Sequence, residues 1–103
     1  MSESSCEAVR EATITHPQGL HARPVMRFID VASKFQSSVT VTNISRSSES
    51  VDGKSAMHMM LLEATMGSVL RVHARGVDAR EAVDALASLV EQSFGLNPTP
   101  PTD

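Results

Sequence analysis

The stretch Ala12-Thr-Ile-Thr-His-Pro-Gln-Gly-Leu-His-Ala-Arg-Pro24-Val-Met-Arg-Phe28 contains a change of period that decides the fold. On its N-terminal side Ala12 and Ile14 alternate with Thr13 and Thr15, which predicts a half-buried strand ending at Pro17 and Gly19. On its C-terminal side Val25, Phe28, Ile29, Ala32 and Phe35 recur at i, i+3 and i+4, which predicts an amphipathic helix over about Ala22 to Phe35. Gly19 permits a sharp exit from the strand, and Pro24 is tolerated only in the first turn of a helix. These two residues place His21 at about the N-cap.

Downstream, Val39 to Ile44 returns to period two with β-branched residues, and a Ser-rich connection leads to a weaker strand around Glu49 to Val51. Asp52-Gly53 is a turn. Ser55 is read as the N-cap of a short helix through Leu62 or Ala64. After Gly67, the alternation of Leu70, Val72 and Ala74 with Val69, Arg71 and His73 predicts a fourth strand. Asp78 and Glu81 have the spacing of a capping box, and Val83, Leu86, Leu89, Val90 and Phe94 form the stripe of a last helix ending at Gly95. The order strand, helix, strand, strand, helix, strand, helix predicts an α+β fold with helices on one face of a mainly antiparallel sheet. Pairing order is not readable from it. Residues 1–7 and 96–103, the latter Pro-rich, are expected to be flexible tails around a domain of residues 8–95.

The 103 residues suffice for one domain and one two-layer core without a disulfide or metal staple. The most apolar run, Met57 to Leu62, is too short to span a bilayer, so no membrane partner is expected. The N-terminus lacks the basic and apolar segments of a secretory signal, and Cys6 is alone, so the expectation is a cytoplasmic, reduced protein and a monomer. A net charge of −3 with no Trp or Tyr argues against nucleic acid as a partner.

Chemistry concentrates at His21. The first N–H groups of a helix lack internal acceptors and carry partial positive charge, so an anion held at His21 meets waiting donors. Arg23, two residues on, brings a guanidinium fork that matches phosphate oxygens. An imidazole suits a phosphoryl group that is to be passed on, because the P–N bond it forms transfers readily to another acceptor. The chain carries an internal control in His73-Ala-Arg75, where the same tripeptide is followed by Gly76 within a strand and faces no helix terminus. His16, His58 and Cys6 show no ligand spacing, so no metal and no cofactor are expected. Gly53-Lys54-Ser55 has the ending of a P-loop, but Ser48 stands where its first glycine would be. The helix after Ser55 is apolar nearly all round, so part of it should stay uncovered, with Met57 or Met60 on the open side.

Taken together, Ile14 to Pro24, Val51-Asp-Gly-Lys-Ser-Ala-Met57, the strand from Gly67 to Ala74 and the helix from Asp78 resemble the HPr family of histidine-containing phosphocarriers of the bacterial phosphoenolpyruvate-dependent sugar phosphotransferase system. The resemblance implies an open-faced β-sandwich of four antiparallel strands with three helices on one face. It implies a carrier rather than an enzyme, phosphorylated on Nδ1 of His21 by phospho-enzyme I and discharging to enzyme II A domains of sugar permeases, with Arg23 at the phosphate. It further implies a partner-binding surface of Ala22, Met26, Ala56, Met57 and Met60. Ser55 matches the regulatory serine modified by an HPr kinase/phosphorylase. The alternative is an HPr-like regulatory protein that acts mainly through Ser55 phosphorylation and binding to a kinase or transcriptional regulator. Three departures stand out: Gln18 replaces the usual asparagine, Glu63 occupies a common glycine position, and the first helix exposes the mixed charges of Arg27, Asp30 and Lys34.

Overall fold

The computed structural model describes residues 6–95, and the remainder of the expected tails lies outside these residues. Within them run β1 (Glu7–Thr13), α1 (Ala22–Ala32), β2 (Ser38–Asn43), β3 (Val51–Asp52), α2 (Ala56–Met60), β4 (Val69–Arg75), α3 (Ala79–Glu91) and a closing 3₁₀ turn at Ser93–Gly95. Glu7 belongs to β1, where it faces Arg75, and the Gly76 N–H donates to the Cys6 carbonyl at 2.8 Å. The expected N-terminal tail is therefore corrected at its end, because β4 pairs with Glu7 and Gly76, just after β4, bonds to Cys6.

The sheet order is β1-β4-β2-β3, with every neighbouring pair antiparallel. β4 is inserted between β1 and β2. One face buries Ala12 from β1, Leu70, Val72 and Ala74 from β4, and Val39 and Val41 from β2. Against it lie Val25, Phe28 and Ala32 of α1, Met59 of α2, and Ala82, Val83, Leu86 and Val90 of α3. A fully buried aliphatic or aromatic side chain contributes roughly 1.5–3 kcal/mol, so this one layer of contacts is the main source of stability. The other face is polar, with Arg71 paired to Glu11 at 3.0 Å and His73 to Glu7 at 3.2 Å. The arrangement is the open-faced sandwich with helices on one side.

Several boundaries differ from the sequence reading for local reasons. β3 covers only Val51 and Asp52, because the Asn43 side chain closes the loop before it: its Oδ1 accepts from Ser45 N–H and its Nδ2 donates to the Leu62 carbonyl. α2 ends at Met60, two to four residues early. Leu61 and Leu62 N–H bond back three residues, to His58 and Met59, and Glu63 then adopts φ +50, the left-handed backbone that a glycine takes without cost. α1 stops at Ala32 rather than Phe35.

The capping box at α3 is not formed. Asp78 is the N-cap but makes no side-chain cap bond, and its carboxylate accepts instead from Gln36 N–H at 2.8 Å, Ser37 N–H at 2.9 Å and the Ser37 hydroxyl. It thereby ties the α1–β2 turn to the start of α3. The Ser37 hydroxyl bond first, and then the Gln36 N–H, hold this carboxyl below its ordinary value of 3.8. A group whose folded-state pKa is depressed stabilises the fold fully above the unfolded value and loses that contribution as pH falls through the lowered one. Asp78→Asn is therefore expected to lower stability at neutral pH and to shrink the loss between neutral pH and about pH 3, as measured by denaturant titrations along a pH series. An acid limb unchanged by the substitution would contradict this.

Candidate functional site

His21 is the N-cap of α1, with extended backbone at φ −127 and ψ −162, and its carbonyl accepts the first helical bond from Val25 N–H at 2.9 Å. Pro24 has no N–H, so the free donors of the first turn are Ala22 and Arg23, which have no acceptor among the described residues. No acidic residue stands in that turn to compete with an incoming anion. The Arg23 guanidinium is exposed and pairs with no carboxylate among the described residues. The first turn of α1 thus offers two open amides, and Arg23 two residues after His21 adds a positive charge to the same helix start.

The loop that delivers His21 is rigidly seated. Gly19 takes φ +69, and a Cβ there would lie 2.6 Å from the Ala64 carbonyl oxygen and 2.8 Å from Thr65 Cα. Only glycine fits. Leu20 N–H donates to the same Ala64 carbonyl at 2.9 Å, so the α2–β4 loop holds the residue next to the site. His21 itself is half-buried, its Nε2 is buried without a hydrogen-bond partner, and its side chain makes no cap bond.

The other expected site residues lie on α1 and at α2, two helices that are in contact. Ala22, Arg23 and Met26 line a shallow groove along α1 with Arg27 and Asp30. Met57 and Met60 are exposed on α2, which packs beside α1, while Met59 is fully buried. The all-apolar helix is thus divided as expected into a core face and an open face, and Leu61 extends the open one. Ala56 is half-buried against the core. Ser55 caps α2, its hydroxyl accepting from His58 N–H at 3.3 Å. Among the described residues no group of His, Cys, Asp or Glu is placed to hold a metal ion, and no helix is long and apolar enough to cross a membrane.

Two residues have contacts that the sequence reading did not assign to them. His16 is not a plain strand-end residue but a buried one, its ring centroid 5.7 Å from that of His21. Arg27, one helical turn beyond Arg23, donates from Nε to the Phe94 carbonyl at 3.1 Å and fastens the closing turn to α1. The i+4 spacing to Arg23 was available as a signal for Arg27, whereas nothing in the sequence marked His16.

The family model described as "PTS HPr component phosphorylation site" matches residues 8–92. The phosphocarrier protein HPr of Xylella fastidiosa is 42% identical over 84 residues, covering 82% of this chain and 91% of that protein. The multiphosphoryl transfer protein of Haemophilus influenzae is 39% identical over 85 residues, which is 82% of this chain but only 17% of that protein. Among solved structures, HPr-C-His from Thermoanaerobacter tengcongensis superposes with a TM-score of 0.79 at 37% identity, covering 87% of this chain and 98% of that one. With the period change at His21, the inserted β4 and the three helices on one face, these matches show that the chain belongs to the HPr family, whose members are phosphocarriers of the phosphotransferase system rather than catalysts.

Proposed function

We propose that the chain accepts a phosphoryl group on Nδ1 of His21 from phospho-enzyme I and passes it to enzyme II A domains of sugar permeases, acting as a cytoplasmic monomer. The observation that carries this reading is the position of His21 at the N-cap of α1, where among the described residues the amides of Ala22 and Arg23 have no acceptor and Arg23 no carboxylate partner, with Nε2 of His21 buried. In the step, the Nδ1 lone pair attacks phosphorus, and the bond from phosphorus to the donor breaks with its electron pair leaving on the donor. The open amides of Ala22 and Arg23 at the start of α1, and an Arg23 guanidinium swung toward the same end, would take up the negative charge that gathers there. Onward transfer is the same step reversed on a new acceptor. The test is reconstitution: with phosphoenolpyruvate, enzyme I and an enzyme II A domain present, adding this chain should phosphorylate the A domain. An A domain that stays unphosphorylated, although it is charged by an authentic HPr, would overturn the reading.

Arg23→Ala should leave His21 reactive but slow its phosphorylation. A charge-assisted contact is worth roughly 1.5–3 kcal/mol, a tenfold to hundredfold effect if realised in the transition state. Equal transfer rates for variant and wild type would remove Arg23 from the mechanism.

A regulatory reading centres on Ser55, which takes the place of the family's regulatory serine and caps α2 beside exposed Met57. Phosphate at an N-cap faces free helix N–H groups and should leave the fold intact. On a surface formed by Ala22, Met26, Ala56, Met57 and Met60 the added charge must be desolvated on docking. Ser55 phosphorylated by an HPr kinase/phosphorylase should therefore keep its Tm but bind enzyme I about tenfold or more weakly, with Ser55→Asp showing a smaller effect. Identical His21 phosphorylation kinetics at low salt, where repulsion is least screened, would leave Ser55 as a helix cap. A kinase or transcriptional regulator binding only the Ser55-phosphorylated form would favour the regulatory reading.

A further inference from the structure

Among the described residues no hydrogen bond orients the reactive ring. His21 makes no side-chain cap bond, and its Nε2 is buried without a partner. An imidazole has two nitrogens of similar intrinsic reactivity, and a turn of the ring about its bond to Cβ exchanges their places. Packing must therefore set which nitrogen faces a donor. The ring in contact range is that of His16, with centroids 5.7 Å apart and planes inclined at 57°, inside the 4.5–7 Å span of packed aromatic pairs.

His16 is itself firmly held. It is only 7% exposed. Its Nδ1 accepts from Gln18 N–H at 3.2 Å, and its carbonyl accepts from Gly19 N–H at 2.9 Å, so the side chain and backbone both close the 16–19 turn. Because Nδ1 is the acceptor, the neutral ring carries its proton on Nε2. The turn is fixed in turn by the contact of Gly19 with Ala64 and Thr65. A braced ring thus stands beside an unbraced one.

We propose that His16 is a positioning residue: its buried ring holds the His21 imidazole in the orientation that keeps Nε2 covered and presents Nδ1 to the phosphoryl donor. The inference rests on His21 being the acceptor, and it concerns the choice of nitrogen rather than the docking of a partner.

The test uses phosphoramidate, a small phosphoryl donor that needs no docking surface. The attacking ring nitrogen forms the N–P bond as the donor's P–N bond breaks, the electron pair leaving with ammonia while the imidazole's other nitrogen keeps its proton. Phosphorus and nitrogen NMR then distinguish the Nδ1 and Nε2 isomers, and exposed His58 in the same molecule reports the ratio for an unbraced ring. Wild type should give the Nδ1 isomer at His21. His16→Asn keeps a side-chain acceptor for Gln18 N–H and so preserves the turn, but removes the ring. It should shift His21 toward the His58 ratio and slow Nδ1 phosphorylation about tenfold, by this donor and by enzyme I alike, with the enzyme I KM unchanged. His16→Phe restores a ring and should restore the Nδ1 isomer. A folded His16→Asn protein with wild-type isomer ratio and rate overturns the role of His16. Wild type that takes no phosphate at His21 from either donor overturns the acceptor reading instead.

Discussion

His21→Ala is expected to abolish phosphoryl acceptance from enzyme I while leaving the fold intact. No other imidazole of the chain is the N-cap of a helix: His16 lies in the turn, His58 is the third residue of the five-residue α2, which Ser55 caps, and His73 is in β4 with its Nε2 against Glu7. The N-cap role of His21 is carried by its backbone, since the side chain makes no cap bond, so alanine there costs little helix stability. The substitution also removes the buried, unpartnered Nε2. Its Tm should stay within a few degrees of wild type. Residual phosphate on the variant, at the wild-type rate, would place the acceptor elsewhere.

Gly19→Ala is expected to damage both stability and transfer. The left-handed backbone costs a non-glycine residue about 1–2 kcal/mol, and contacts of 2.6 and 2.8 Å against backbone atoms add an overpacking cost of about 1–3 kcal/mol. The sum is a large share of the roughly 5–15 kcal/mol by which such domains are stable, and it corresponds to a Tm loss of about 10–30 °C. Transfer should fall even well below Tm, because the only escape is a shift of the 16–20 turn that delivers His21. Gly67→Ala is the control. It has φ +92 but open space where its Cβ would sit, so it bears the backbone cost alone. A Tm loss for Gly19→Ala no larger than for Gly67→Ala would show that the close approach to the α2–β4 loop is not what seats the site.

The local features of the site were legible because they depend on neighbours in sequence. Gly19, Pro24 and the switch from period two to the helical stripe define an N-cap at His21, and that is where α1 begins. The division of α2 into buried Met59 and exposed Met57 and Met60 followed from one apolar helix having a single sheet face to cover. Features set by distant partners were not legible. The insertion of β4 between β1 and β2 depends on long-range pairing that no local pattern records. Asp78 had the spacing of a capping box, but Gln36 and Ser37 offered its carboxylate three donors from another element. The close of the domain was equally hidden. Ser93 and Phe94 both take left-handed backbone, which their residue types disfavour, and Phe94 is fully buried, while the Thr15 and Ser93 hydroxyls bond at 2.9 Å. Only burial against His21 distinguishes His16 from a surface histidine, and no local pattern encodes that contact.

Whether His21 carries a phosphoryl group transiently is read from the nature and place of one bond. The chain should be incubated with radiolabelled phosphoenolpyruvate and enzyme I, and the phosphate then challenged with acid and alkali and mapped to its residue. One phosphate per chain is expected, acid-labile and alkali-stable, on His21. An acid-stable phosphate on a hydroxyl, a phosphate on His16, His58 or His73, or no incorporation by an enzyme I that charges an authentic HPr would contradict it.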